Sequence, residues 1–192
     1  DKVFLHIYQN FFAKGDTVLL NEASRRSITD RAYSMMANQL GLAAPALVLN
    51  DVQDKKISLY DIKAPYTFIA FWDPTCSHCK VEIPRLDSFY KAIWKNYQIN
   101  VLSVNINYKE IAAWKTFIKD HHLEGWTNAY QTEADLTKEI KEGRPTTIRQ
   151  LYDVFKTPTF YLLDSGKRII AKNLSIEQFN DFIVNTAKKA NK

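Results

Sequence analysis

Residues 66–79 decide the fold and read Tyr66-Thr67-Phe68-Ile69-Ala70-Phe71-Trp72-Asp73-Pro74-Thr75-Cys76-Ser77-His78-Cys79. The first seven residues are nearly all apolar, which is typical of a strand buried on both faces of a sheet. A helix with apolar periodicity is predicted directly afterwards, from about Thr75 to Tyr97. A cysteine pair therefore lies where a buried strand ends and a helix begins, the place where open α/β sheets usually hold their functional sites.

The cysteine count favours a chemical role for this pair. The chain has 192 residues but only two cysteines, three positions apart. A disulfide-stapled secreted protein would use more cysteines at wider spacing, and a bridge closing so short a loop stabilises a fold weakly. Zinc binding needs about four ligands, and the other candidates, His121 and His122, lie in a distant segment without a second paired motif. Redox chemistry is therefore favoured over a metal site or a structural disulfide.

The position of each cysteine predicts its role. Disulfide exchange needs a thiolate, and Cys76 lies at the predicted helix N-terminus, where unpaired backbone N–H groups stabilise an anion. His78, when protonated, adds a positive charge close by, so both effects lower the pKa of Cys76. Cys79 lies one turn further into the helix, within bridging distance. We predict that Cys76 attacks and that Cys79 resolves the mixed disulfide.

The rest of the chain alternates strands and helices. Residues 1–42 are predicted to be helical, with a second helix from near Thr29 to Leu40 that stops at Gly41. The further elements predicted are strands at 46–49, 57–60 and 101–106, a helix at 109–121, a strand at 126–130, a helix at 133–142 ended by Gly143 and Pro145, a hairpin of strands 159–163 and 168–172, and a last helix capped by Ser175. This order predicts an α/β fold with a central sheet flanked by helices.

The segment from Phe71 to Pro84 resembles the active-site segment of the thioredoxin superfamily, most of all the TlpA/ResA-like branch of bacterial envelope proteins. Trp72, four residues before the first cysteine, matches the family tryptophan, and Pro84, five after the second, matches the proline that kinks the active-site helix. Glu82, three after the second cysteine, falls where ResA-like proteins keep an acidic residue near the cysteines. The resemblance implies a thioredoxin-like fold with a central mixed sheet.

A second segment, 152–159, resembles the family's loop before the hairpin, in which the proline is cis. The resemblance implies that Pro158 is cis and packs beside Cys76. It also implies that the backbone of Thr157 is free to pair with an extended substrate. Trp72, Thr157 and Pro158 are therefore the implied substrate-binding residues.

The resemblance also implies the domain organisation. It places a thioredoxin-like domain at residues 43–192, with the stretch from about Tyr108 to Leu151 as a TlpA-like insertion. Residues 1–42 lie outside the resemblance and form a helical N-terminal extension, either a cap or the end of an upstream domain.

Two departures from the thioredoxin pattern bear on mechanism. Thioredoxin keeps a buried aspartate six positions before the first cysteine, where this chain has Ala70. The acid/base helper for Cys79 would then be Glu82, acting through water. Between the cysteines stand Ser77 and His78, and a histidine there resembles oxidising members of the superfamily, because it stabilises the reduced thiolate. Most TlpA-like proteins are reductants, so the motif and the branch indicate opposite directions of electron flow.

The leading hypothesis is a thiol–disulfide oxidoreductase that acts on protein substrates as a reductant and is supplied by an upstream redox partner in the envelope. The alternatives are a disulfide oxidase or isomerase, a peroxiredoxin-type peroxidase, which keeps a threonine where Asp73 stands, and a non-enzymatic binding module using residues 1–42. No bound cofactor is implied, because the cysteine pair itself carries the electrons.

Composition argues against other classes of function. The net charge of +5 is mild, and no basic stripe with interleaved aromatics indicates nucleic-acid binding. The longest apolar runs are strand-sized, and the first residues lack a signal-peptide pattern. A periplasmic location, free or membrane-anchored, rests on the resemblance alone, and the oligomeric state is left open.

Overall fold

The computed structural model describes residues 2–14, 20–141 and 147–190. Its helices are α1 (Lys2–Ile7), which continues as a π-helical turn (Tyr8–Phe12), α2 (Glu22–Ala37), α3 (Ser77–Ala92), α4 (Ile111–Asp120), α5 (Glu133–Lys141), α6 (Ile148–Leu151) and α7 (Ile176–Ala190), with 3-10 turns at Leu59–Asp61 and Trp94–Tyr97. Its strands are β1 (Val48–Asp51), β2 (Lys56–Ser58), β3 (Tyr66–Trp72), β4 (Ile99–Asn105), β5 (Thr127–Tyr130), β6 (Thr159–Leu163) and β7 (Ile169–Lys172).

Within the described residues, the strands form one seven-stranded mixed sheet in the order β2-β1-β5-β4-β3-β6-β7. β3 pairs in parallel with β4 and antiparallel with β6, and β4 pairs in parallel with β5. The pairings β1–β2, β1–β5 and β6–β7 are antiparallel. The predicted mixed sheet flanked by helices is therefore present, and β3 lies inside it.

The apolar run at β3 is explained by burial on both faces. Its side chains alternate between the faces, as strand geometry requires. Phe68, Ala70 and Trp72 share a core with α3, α4 and α7. Ile69 and Phe71 face the opposite core, which α6 and the strand β1 complete. The strand has the bounds that the sequence predicts, because burial on both sides leaves little room for polar residues.

The N-terminal helices form a small unit that rests on α6. A separate buried cluster joins α1, the π turn and α2, and consists of Leu5, Tyr8, Ala32 and Met35. At the end of α2, the Asn38 side-chain amide donates to the Leu151 carbonyl oxygen at 2.7 Å, and the Ser34 hydroxyl donates to the carbonyl oxygen of Gln150. The predicted helical extension thus has its own core and contacts the carbonyl groups of α6.

α2 begins well before the predicted start at Thr29. Asn21 caps the helix, because its side-chain oxygen accepts from the Ser24 N–H at 2.8 Å. The first turns of α2 are mostly polar and therefore give no apolar periodicity. The helix also ends at Ala37, before Gly41, which adopts a φ of +86° in the following loop.

The other differences are the ends of two elements and one short helix that is not predicted. α3 stops at Ala92 because a 3-10 turn that buries Trp94 follows it, so the predicted extension to Tyr97 is wrong. α6 is not predicted, and β1 starts two residues later than the predicted strand at 46–49. The predicted cap of the last helix is confirmed, since Ser175 Oγ accepts from the Gln178 N–H at 3.2 Å. Gly143 and Pro145 lie outside the described residues.

Candidate active site

Cys76 occupies the N-cap position of α3. β3 ends at Trp72, and a short loop turns the chain so that the Cys76 N–H donates to the Asp73 carbonyl oxygen at 3.1 Å. Cys76 has extended backbone angles, φ −71° and ψ 121°, and α3 begins at the next residue. Its side chain is partly exposed. The sulfur therefore lies beside the free N–H groups of the first helical turn, as the sequence predicts.

Asp73 and Asn107 hold this loop in place, and neither role is predicted from the sequence. One carboxylate oxygen of Asp73 accepts from the N–H and the hydroxyl of Thr75, at 2.8 and 2.7 Å. The other accepts from the side-chain amide of Asn107 at 3.0 Å, and Asn107 is in turn bonded through its backbone to Asn105 at the end of β4. The loop before Cys76 is thus tied to the neighbouring parallel strand.

The two cysteines differ sharply in environment. They are free thiols 3.3 Å apart, and Cys79 is fully buried. Burial alone would raise the pKa of Cys76, but hydrogen bonds from the Thr157 side chain and from Cys79 and His78 in the first turn of α3 hold that pKa below its ordinary value. Burial raises the pKa of Cys79 to about 12. These opposite shifts make Cys76 the sulfur that ionises more readily and Cys79 the one that keeps its proton.

This contrast predicts selective alkylation of the reduced protein. Only the thiolate reacts, so the alkylation rate of Cys76 falls as pH falls through its pKa; because that pKa is lowered, reaction persists at pH values where an ordinary cysteine is protonated. Cys79, with a pKa of about 12, stays unmodified at pH 7. Mass spectrometry after brief iodoacetamide treatment across pH 4–9 measures the extent of alkylation of Cys76 and of Cys79. Equal labelling of the two cysteines at pH 7 would contradict the assignment.

The loop before β6 borders the outer sulfur. The peptide bond between Thr157 and Pro158 is cis, the isomer that the resemblance implies. The Cys76 thiol lies 3.6 Å from the Thr157 carbonyl oxygen and donates to it while protonated. Pro158 is buried behind this contact and Thr157 is half-buried. Two of the three residues to which the resemblance implies a substrate-binding role, Thr157 and Pro158, thus lie in the loop that borders Cys76.

A cavity of about 380 Å³ opens next to this contact. His78 and Glu82 of α3 line one side of it, and Thr157 and Pro158 line the other. His78 is exposed, whereas the Glu82 side chain is only 15% exposed and pairs with Arg85 at 3.3 Å. Arg85 also pairs with Glu177 of α7. The predicted residues His78, Glu82, Thr157 and Pro158 therefore line one cavity, and Cys76 adjoins it through its contact with Thr157.

Trp72 is placed differently from its predicted role. Its side chain is fully buried, its indole N–H donates to the Ser103 hydroxyl at 2.8 Å, and its ring lies 5.0 Å from that of Phe117. In this position it supports the strand end from inside the core, and a substrate at Cys76 has no access to it. Ala70 is likewise buried in this core.

Metal-binding clusters and membrane-spanning helices are both missing from residues 2–14, 20–141 and 147–190. No group of three or more His, Cys, Asp or Glu side chains in these ranges is arranged to hold a metal ion. None of the helices there combines the length and the apolarity that crossing a membrane requires.

Comparison with known families gives one match over most of the chain. A sequence model of the AhpC/TSA family matches residues 40–172. This range contains both cysteines, the cavity residues Glu82 and Arg85, and the loop with Thr157 and Pro158.

Similar proteins agree with this match. The thiol-disulfide oxidoreductase ResA of Bacillus cereus is 28% identical over 134 residues, which are 70% of this chain and 69% of that protein. A domain of a possible thiol-disulfide isomerase from Cytophaga hutchinsonii is 34% identical with a TM-score of 0.65, over 80% of this chain and 96% of that domain. A thioredoxin-like protein from Bacteroides caccae superposes with a TM-score of 0.73 at 22% identity, over 94% of this chain. The chain spans 60% of that structure's length. The predicted thioredoxin-like fold is confirmed.

Proposed function

We propose, since this chain belongs to the AhpC/TSA family, that it is a thiol–disulfide oxidoreductase that exchanges disulfides with protein substrates. The observation that carries the proposal is the pair of sulfurs 3.3 Å apart, one with a lowered pKa at a helix N-terminus and one buried and protonated. This is the asymmetry that separates an attacking thiol from a resolving thiol. The names of the B. cereus and C. hutchinsonii relatives support the same chemistry.

The proposed reaction has two displacements. The Cys76 thiolate attacks one sulfur of a substrate disulfide, that S–S bond breaks, and the substrate's other sulfur leaves as a thiolate that takes up a proton. Cys79 then loses its proton and attacks Cys76 Sγ, which releases the substrate's first sulfur as a thiol. Two electrons pass to the substrate and a Cys76–Cys79 disulfide forms. Because the pair carries both electrons, the reaction requires no bound cofactor.

Glu82 is our candidate for the group that takes the proton from Cys79, through an intervening water. It lies three residues after Cys79, so both side chains project from the same side of α3. A buried thiol with a pKa of about 12 needs such an acceptor to resolve the mixed disulfide at neutral pH. The ion pair with Arg85 holds the Glu82 side chain at the cavity wall.

The Thr157 backbone is our candidate for holding the substrate. Among the described residues, its N–H makes no backbone hydrogen bond, and its carbonyl oxygen faces Cys76 at 3.6 Å. An extended peptide lying along residues 156–158 would pair with these groups and bring its disulfide to Cys76. Pro158 forms the buried base of this contact.

We assign the protein to the bacterial envelope, as a reductant that an upstream redox partner keeps reduced. The assignment rests on the resemblance to ResA-like proteins across residues 43–190. An oxidase or isomerase is the second candidate, and the exposed His78 at the cavity favours it, because a histidine between the two cysteines resembles oxidising members of the superfamily. A peroxidase is less well supported, since Asp73, at the position where peroxiredoxins keep a threonine, has one oxygen bound by Thr75 and the other by Asn107.

The reduction potential of the cysteine pair, measured by equilibration in dithiothreitol or glutathione buffers, tests these assignments. A reductant is expected near the thioredoxin value of about −270 mV, and an oxidase or isomerase at about −120 to −180 mV. His78→Gln is the matched variant, because it keeps a polar side chain and removes the imidazole. A potential that stays at about −270 mV in both proteins supports the reductant. Failure of the wild type to form the disulfide would overturn the proposed function, and rapid peroxide consumption would point to the peroxidase.

A further inference from the structure

The loop that borders Cys76 is anchored to the sheet on one side. Tyr152, at its start, is fully buried and packs on Phe71 of β3, with ring centres 4.7 Å apart. The Tyr161 hydroxyl of β6 donates to the Tyr152 carbonyl oxygen at 2.5 Å. These contacts, together with the burial of Val154 in the same core and the bond from its N–H to the Arg149 carbonyl oxygen at 2.7 Å, hold the loop on the side of the sheet.

The N-terminal extension holds the other side through Arg31 of α2. The guanidinium carbon of Arg31 lies 4.2 Å from the ring centre of Phe155 and 5.4 Å from that of Phe4, within the range of cation–π attraction. Its Nε lies 3.5 Å from a carboxylate oxygen of Asp153, whose side chain is only 10% exposed. Arg31 therefore joins α1, α2 and the loop at a single point.

Little else fills the space between α2 and this loop. A cavity of about 440 Å³ separates them, lined by residues of α2 and by the segment that ends at Phe155. Phe155 itself is 75% exposed, so apolar burial does not hold it in place. The contacts of Arg31 cross this cavity and reach the loop two residues before Thr157.

Asp153 is a position that depends on such support. Its φ is +49°, in the left-handed region that a non-glycine residue adopts at a cost. Burial raises the pKa of its carboxyl group, and the charge of Arg31 opposes this rise. Without the arginine, the buried carboxylate would lack its cation and the turn would be free to rearrange, which would carry Thr157 with it.

We propose that Arg31 is a positioning residue, through which the N-terminal extension holds Thr157 against the Sγ of Cys76 and so sets the reactivity of that sulfur. The inference rests on the proposed function only in taking Cys76 as the attacking thiol. It gives α1 and α2 a part in the active site, although the link from these helices to the sulfur runs only through the loop with Phe155 and Thr157.

The test compares the pH dependence of Cys76 alkylation in reduced wild type, Arg31→Ala, Arg31→Lys and Arg26→Ala. Arg26 lies on the same helix and lines the same cavity, but its side chain is 77% exposed and pairs with Asp30, so it serves as the matched control. All variants keep the titratable side chains on the segments flanking Cys76, which are Asp73, His78, Cys79, Lys80, Glu82 and Lys156.

Arg31→Ala is expected to move the alkylation midpoint to higher pH and to slow alkylation below that midpoint by about threefold, which corresponds to about half a pKa unit. Arg31→Lys keeps the charge and should recover most of the wild-type rate, and Arg26→Ala should leave the profile unchanged. A folded Arg31→Ala protein with the wild-type midpoint would overturn the proposal, as would an equal shift in Arg26→Ala.

If Arg31→Ala does not fold, Asp153→Asn decides the matter, since it removes the charge partner and keeps the side-chain shape. The expected result is a shift in the same direction, and an unchanged midpoint overturns the proposal. Alkylation needs no substrate. A shifted profile in a protein whose wild type reduces no disulfide would therefore contradict the proposed function and leave this inference standing.

Discussion

Replacing Cys76 by serine is expected to abolish disulfide exchange, lowering the rate of insulin reduction by roughly 10³-fold or more, as removal of an enzyme's nucleophile does. The physical reason is that Cys76 is the sulfur with the lowered pKa and the one that the solvent reaches. Cys79 cannot replace it, because it is fully buried and its pKa is about 12. The assay follows the turbidity of insulin with dithiothreitol as electron donor.

The matched variant, Cys79→Ser, should retain the first displacement and lose the second. Mixed disulfides with substrate proteins then accumulate and appear as higher-mass bands on non-reducing gels, which dithiothreitol dissolves. The double variant, with both cysteines replaced, should show no such bands. Exchange at the wild-type rate in Cys76→Ser, or trapping through Cys79 in that variant, would contradict the assigned order of attack.

Replacing Trp72 by alanine is expected to destabilise the reduced protein by about 3–5 kcal/mol, the usual cost of removing a large aromatic side chain from a core. Trp72 is fully buried, and its loss also leaves the Ser103 hydroxyl without the indole donor at 2.8 Å. Trp72→Phe should cost less, because it keeps the ring against Phe117. Urea unfolding followed by circular dichroism gives the free energy of unfolding for each variant.

The same pair of variants distinguishes packing from substrate contact. If Trp72 binds substrate, Trp72→Ala would keep the wild-type stability and raise KM for a protein substrate. The buried position predicts the reverse, a less stable protein whose Cys76 alkylation profile is unchanged wherever the variant is folded.

The part of the fold that rests on strong local patterns could be predicted from the sequence. The continuous apolar run of β3 gave its bounds correctly, because a strand buried on both faces cannot alternate polar and apolar residues. The position of Cys76 at the start of α3 followed from the same run. Ser175 could be identified as a cap because side-chain capping is a local interaction.

The start of α2 and the whole of α6 could not be predicted this way. α2 opens with polar turns whose helical state depends on the Asn21 cap and on packing further along. α6 has four residues, too few for an apolar period, and its capping box between Thr147 and Gln150 was not recognised. Both helices are stabilised by a cap at their first turn and by packing against distant segments, and neither leaves a periodic pattern in the local sequence.

In the active site, too, the residues that are close in sequence could be predicted and those that come from distant segments could not. The cysteines, His78 and Glu82 are adjacent in sequence, and one turn of helix suffices to place them. Asn107, by contrast, contacts Asp73 from a different loop, and Glu177 of α7 pairs with Arg85 of α3. Trp72 was assigned to substrate contact because the resemblance gives its identity but not its burial.

The segment between α2 and β1 also covers part of the edge of the sheet that β7 forms. The backbones of Gly41 and Leu42 are hydrogen-bonded to Ile169 at 2.8 Å, and Arg168 donates to the Gly41 carbonyl oxygen at 3.0 Å. Ala44 N–H donates to the Lys167 carbonyl oxygen at 2.8 Å. These bonds occupy groups at the start of β7 that would otherwise be open to a strand from another molecule.

At the opposite edge, the short strand β2 carries Lys56, which forms an ion pair with Asp135 of α5 at 2.6 Å. A charged, three-residue edge strand is a poor template for pairing between molecules. The sheet is therefore protected against edge-to-edge aggregation at both ends, by charge at one and by the connecting segment at the other. If extended chains bind at Thr157 as proposed, this protection lets the protein accept them there without pairing with them along the edges of its sheet.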